Sequence, residues 1–237
     1  MLVFALSMSE GARISAQNSP VTVQAELVMR DGAKKAEQAK SAADPSNVVV
    51  WLTPLGSPAT KRVAGKPPQL IQRNKSFEPH LLVVQTGSVI EFPNRDPFFH
   101  NVFSLFNGKR LDLGLYEAGT AKTARFERPG VSFLFCNIHA EMSAVIVAVD
   151  TPYFGTSDRE GRVALPDVPD GRYRLHVWYE RSSPEDLQAL EHDVEVSSST
   201  RALGALRVML NPNWSLAHKN KYGQEYVPPP SSSYSDH

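Results

Sequence analysis

Turn signals recur too often in this chain for long helices to form. Gly87, the run Pro93-Asn94-Arg95-Asp96-Pro97, Glu117-Ala118-Gly119 and Gly130 cut one stretch into short β-prone pieces. These pieces are Leu81 to Val84, Ser88 to Phe92, Asn101 to Leu105, Leu111 to Leu115, Thr120 to Phe126, Val131 to Phe135 and Ala144 to Val149. Earlier, Val21 to Met29 alternates in the way of a half-buried strand, and Val48 to Thr53 is a continuous apolar, β-branched run. With 18 prolines and 14 glycines among 237 residues, the expectation is an all-β chain built as a Greek-key sandwich.

The balance of charge narrows the function. Lys+Arg and Asp+Glu both total 25, so no net field draws the chain to nucleic acid or to an anionic membrane. At 41% hydrophobic and 21% charged residues the composition is that of a soluble globular protein, and no segment approaches the length of a membrane span. The first 16 residues read as an export signal: apolar Leu2 to Met8, then Ile14-Ser15-Ala16 as a small-residue cleavage site. No Lys or Arg precedes the apolar part, so we read the signal as truncated, with the protein periplasmic or otherwise exported.

A single cysteine rules out an internal disulfide and leaves a reactive thiol, a cross-chain bridge or a metal ligand. Cys136 ends the apolar run Gly130 to Phe135 and opens a Cys-x2-His-x2-Met sequence with His139 and Met142. Taken singly, a buried cysteine fills core, a histidine satisfies a polar contact and a methionine packs. Taken together at one loop, a thiolate, an imidazole and a thioether are the donors that suit copper. A blue-copper site needs two imidazoles and a thiolate, with a weak axial Met, and His100 after the Pro93–Pro97 turn is the candidate for the second imidazole. His80 is read as structural or surface, and Glu141 as a solvated acid. His176, His192, His218 and His237 form no His-x-His pair, which argues against a multi-copper oxidase and against an enzyme.

Two segments, PNRDPFFHNVFS and GVSFLFCNIHAEM, resemble the copper-ligand segments of cupredoxins, the plastocyanin and amicyanin group, with the short loop of amicyanin. LDLGLYEAG and FCNIHAEMSAVIVAVDTPYF are similar to bacterial proteins known as methylamine utilization or plastocyanin-like proteins. The resemblance implies one type 1 copper (Cu2+/Cu+) held by His100, Cys136, His139 and Met142. It also implies that Asn101 hydrogen-bonds near the thiolate and ties the two ligand segments together. Ile138 departs from the pattern, since such loops commonly carry Pro before the histidine. Of Phe98, Phe99, Phe103, Phe133 and Phe135, most should be core and one or two should form an apolar docking patch by His139.

Beyond Asp150 the texture changes. Ser157 to Gly161 reads as a hairpin turn into Arg162 to Leu165, Pro169-Asp170-Gly171 as a turn into Tyr173 to Tyr179, and Ser182 to Ala189 as a short helix. Val194 to Val196 and Leu203 to Leu210 supply further strands. The pattern resembles the carboxypeptidase regulatory-like, prealbumin-type β-sandwich, a structural or binding module. The expected organisation is a signal at 1–16, a cupredoxin domain at 20–150, the smaller sandwich at 151–210 and a polar, largely disordered tail at 211–237. Trp214, Tyr222 and Tyr226 are the residues that would lay the first part of that tail across a domain.

The leading expectation is an exported one-electron carrier whose partner is a cytochrome c, a quinoprotein dehydrogenase or an oxidase. The alternatives are a copper-binding or delivery protein that does not cycle, and a binding or adhesion module with an accessory copper site.

Overall fold

The computed structural model describes residues 19–29, 44–56, 65–105, 108–211 and 214–226. The expected export signal and the last part of the tail lie outside them. Apart from one short helix, the regular structure among the described residues is strand, as the turn punctuation predicts.

The first two strands, β1 (Val21–Val28) and β2 (Val49–Pro54), do not pair with the strands that follow them. Residues 71–149 instead form a self-contained sandwich. Its strands are β3 (Ile71–Arg73), β4 (Ser76–Glu78), β5 (Leu81–Gln85), β6 (Ser88–Pro93), β7 (His100–Ser104), β8 (Leu111–Tyr116), β9 (Ala121–Phe126), β10 (Gly130–Phe135) and β11 (Ser143–Val149). One sheet runs β5-β11-β10-β7-β8, with β5 and β11 parallel and the other neighbours antiparallel. The antiparallel pair β6–β9 supplies the facing layer. Ile90, Phe92 and Phe126 from the pair meet Val102, Leu134, Ala144 and Ile146 from the sheet in one buried core.

The short hairpin β3–β4 was not visible in the sequence. Its turn residues Asn74 and Lys75 both adopt left-handed backbone, φ 53° and 55°, with no glycine to announce the turn. Bridges from Gln69 to Glu91 and from Gln72 to Asn94 fasten the hairpin beside β6.

The remaining elements are β12 (Phe154–Thr156), β13 (Arg162–Leu165), β14 (Gly171–Trp178), α1 (Pro184–Gln188), β15 (His192–Val196) and β16 (Ala202–Met209). They close a second sandwich only with the first two strands. Its sheets are β13-β1-β16 and β12-β2-β14-β15. β1 is the central strand of the first, antiparallel to β13 and parallel to β16. Its inward residues Val21, Val23, Ala25 and Leu27 share a core with Leu52, Leu175 and Val208. The expected division at residue 150 is therefore corrected: residues 21–54 belong with the C-terminal strands, and the β3–β11 sandwich is inserted between them. An alternating strand shows which face it buries, but not which partner it pairs with.

Close approach at the β12–β13 turn requires a glycine. Gly161 has φ 77° and its carbonyl accepts a 2.7 Å bond from the Ala25 N–H. A Cβ at this position would run into the Ala25 carbonyl oxygen.

β11 joins the two units. Ala144, Ile146 and Ala148 face the inserted core, whereas Val145, Val147 and Val149 face Val49, Trp51 and Trp178 of the other sandwich. This two-sided burial explains the unbroken apolar run SAVIVAV. Beside it, His80 Nε2 lies 2.8 Å from Glu180 Oε2 across the junction, so His80 serves the junction between units.

Candidate metal centre

The two segments singled out in the sequence meet at one end of the inserted sandwich. β7 opens with His100, and β10 delivers Cys136 one residue past its end. The two strands are neighbours, pairing at Phe103 and Phe135, which sets both side chains at the same edge. The loop after Cys136 returns at once into β11. It is closed by the Met142 N–H to the His139 carbonyl and the Cys136 N–H to the Met142 carbonyl, both 3.2 Å.

Cys136 Sγ lies 3.6 Å from His100 Nδ1 and 3.6 Å from His139 Nδ1. The three donor atoms all fall within 4.8 Å of one another, a group that can hold a metal ion. An ion about 2.0–2.3 Å from nitrogen and sulfur, in trigonal to tetrahedral array, would separate such donors by roughly 3.5–3.8 Å. The spacing fits. His100, Cys136 and Met142 are fully buried, and only His139 is partly open to solvent. Met142 packs in the same cluster as Cys136.

The surroundings prepare the donors. Burial works against a thiolate at Cys136. Hydrogen bonds from His100 and from the N–H groups of Asn101, Ile138 and His139 outweigh it and hold the thiol below its usual range. Burial likewise opposes protonation of His100, but its bonds to Cys136 and Asp96 raise its pKa. At His139, burial and then the charges of His100 and Lys75 lower the pKa, favouring the neutral imidazole that metals bind.

Asp96 was read in the sequence only as part of a turn. It is buried, and its Oδ2 lies 2.7 Å from His100 Nε2. The same carboxylate accepts the Asn74 N–H at 2.6 Å and the Lys75 N–H at 2.9 Å, from the left-handed turn of the β3–β4 hairpin. Burial tends to raise its pKa, but these bonds prevail and lower it. An ionised Asp96 accepts a hydrogen bond from His100 Nε2–H, which keeps the proton on Nε2 and leaves Nδ1 as the nitrogen free to ligate. The position of an acid four residues before a candidate ligand was the one clue to it.

Asn101 sits where expected, but its amide reaches elsewhere. Its backbone N–H approaches the Cys136 sulfur, while its side-chain Nδ2 donates to Asp112 Oδ1 on β8 at 2.8 Å. Among the phenylalanines, Phe103 and Phe135 are core and Phe133 packs at the junction between units. Phe98 lies against both imidazoles, its ring centroid 5.2 Å from that of His100 and 5.6 Å from that of His139. Phe99 and Ile138, each preceding an imidazole donor in the chain, stand about half exposed, at 52% and 49%.

Part of the tail also reaches this site, through Tyr226, one of the residues expected to lay it across a domain. The Tyr226 hydroxyl donates to the Cys136 carbonyl at 2.8 Å. Burial and the nearby Cys136 charge push the Tyr226 pKa up to about 12, so it keeps its proton. His218 stacks on Phe135 with centroids 3.8 Å apart.

No family model matches the chain, and no curated protein matches it. Parts of it are similar to solved copper proteins. A copper-containing nitrite reductase from Thermus scotoductus is 21% identical over 41% of this chain, with TM-score 0.35, and the match spans 25% of the reductase. A purple cupredoxin from Nitrosopumilus maritimus is 20% identical over 35% of this chain and 99% of its own, with TM-score 0.32. The reduced Cu(I) form of a mutant of amicyanin is 22% identical over 42% of this chain and 98% of its own, with TM-score 0.34.

Proposed function

We propose that this chain is an exported one-electron carrier with a single type 1 copper site. His100, Cys136 and His139 would hold the metal, with Met142 packed beside them as a weak fourth donor. The observation that carries this proposal is the convergence of a buried thiolate and two imidazole nitrogens at 3.6 Å spacing, beside a buried methionine. Those donors are the blue-copper set. Bound there, copper supplies a centre that gains or loses one electron at a time.

The protein's own residues do the rest. Asp96 holds the proton of His100 on Nε2. The N–H groups at the Cys136 sulfur draw off part of its negative charge, which favours the reduced state. Two packed strands and a short loop keep the donors at fixed spacing, so little reorganisation accompanies a change of charge. Complete burial of three donors keeps water out, and the partly open edge of His139 is the way in for an electron. Phe99 and Ile138 form the apolar rim on which a partner docks.

The partner in this account is a periplasmic cytochrome c, quinoprotein dehydrogenase or oxidase. The second sandwich serves as a platform without chemistry of its own. Among the described residues no helix is long and apolar enough to cross a membrane. The test is a redox titration of the copper-loaded protein, followed by rapid mixing with cytochrome c. One reversible one-electron transition and fast exchange are expected. Bound copper with no reversible transition would refute a carrier.

A further inference from the structure

The seven-residue loop from Cys136 to Met142 has only two backbone hydrogen bonds of its own, both 3.2 Å long. Residues 214–226 contact it at successive points. Tyr226 donates to the Cys136 carbonyl at 2.8 Å, the Lys221 N–H donates to Asn137 Oδ1 at 2.9 Å, and His218 Nε2 lies 2.9 Å from the Ala140 carbonyl. The His218 ring stacks on Phe135, just before the loop, and meets the Tyr226 ring edge-on at 5.3 Å.

The same segment reaches the other ligand strand. Lys221 Nζ lies 2.9 Å from Asp112 Oδ2, and Asp112 Oδ1 accepts from Asn101, whose backbone N–H approaches the Cys136 sulfur. The segment is itself braced by a turn in which Asn220 Oδ1 accepts from the N–H groups of Tyr222 and Gln224, both at 3.0 Å.

We propose that residues 214–226 are a strap belonging to the metal centre, in which His218, Lys221 and Tyr226 are positioning residues for the ligand loop and for Asn101. The proposal rests on the copper reading above. The strap lends the loop a stiffness its own bonds do not provide, and Tyr226 adjusts the thiolate through the Cys136 carbonyl. A donor on that carbonyl withdraws electron density from the cysteine and favours the reduced metal. Removing it should favour the oxidised metal.

The test uses the full chain, wild type beside Tyr226→Phe, Lys221→Met and, as control, Lys219→Met. Lys219 lies on the same segment, and among the described residues its ammonium pairs with the exposed Glu225, at 3.5 Å. Two quantities are read: the reduction potential of the copper-loaded protein, and amide hydrogen exchange of residues 137–141 without metal. Tyr226→Phe should lower the Cu(I)-over-Cu(II) preference several-fold, where a tenfold change equals 59 mV for one electron. Both strap variants should speed loop exchange several-fold, and Lys219→Met should change neither quantity. Unchanged potential and exchange in Tyr226→Phe, with the intense thiolate–copper absorption of the wild type intact, would overturn the strap and leave the copper site standing. If the wild type shows no such absorption, the copper reading fails, and loop exchange alone decides whether the strap holds the loop.

Discussion

At the scale of single residues, Asp96 ties the β3–β4 hairpin to the candidate metal centre. It is one buried carboxylate serving two amides of an exposed turn and one buried imidazole. Asp96→Asn keeps the shape but removes the charge and one strong acceptor for His100 Nε2–H. We expect copper affinity to fall about 10–100-fold, the usual cost of losing such an outer partner, as measured by competition with a chelator. Unchanged affinity would mean that packing alone orients His100. The candidate donors were legible because their chemistry is rare: one cysteine in the whole chain, followed at fixed spacing by His and Met. Asp96 and Asp112 were not, because an acid in a turn or on a strand is common, and Tyr226 was marked only as a residue that lays the tail on a domain. Only the fold brings them to the site.

At the scale of elements, β11 shows what periodicity reveals and what it leaves open. Its apolar run read only as one more strand, and the structure shows why it does not alternate: each face is buried in a different core. The two faces should respond differently. Ile146→Ala should cost about 2–5 kcal/mol, the range for truncating a buried Ile, read from urea unfolding of the inserted sandwich. Val147→Asp should instead uncouple the units, so that one unfolding transition splits into two. A single transition in Val147→Asp would show that the junction contributes little. The long strands and α1 were legible for local reasons; Ser183 caps α1 by accepting the Asp186 N–H at 3.1 Å, and Pro184 begins it. β3, β4 and β12 were not, since three residues are too few to show a period.

At the scale of the whole molecule, the chain leaves one sandwich, builds another and returns. Residues 151–210 lack the central strand β1 and the strand β2. Expressed alone, that piece should show no cooperative unfolding, whereas a sharp thermal transition would contradict the shared sandwich. The His80–Glu180 contact spans the junction, and the Glu180 hydrogen bond raises the His80 pKa above 6.5 against the opposing effect of burial. A raised folded-state pKa means that the pair stabilises fully below about pH 6.5 and fades as pH rises through the folded value. His80→Gln should therefore destabilise the protein at pH 6 more than at pH 9, as measured by thermal unfolding. An equal loss at both pH values would assign His80 a purely steric role. The pairing of distant strands was illegible because nothing in β1 or β2 encodes which strands they join.

The most direct measurement is the visible and EPR spectrum of the chain after addition of Cu(II), recorded beside Cys136→Ala. The account predicts intense thiolate-to-copper absorption and narrow copper hyperfine splitting, both absent from the variant. A weak, tetragonal spectrum, or one that does not change when Cys136 is replaced, would contradict it.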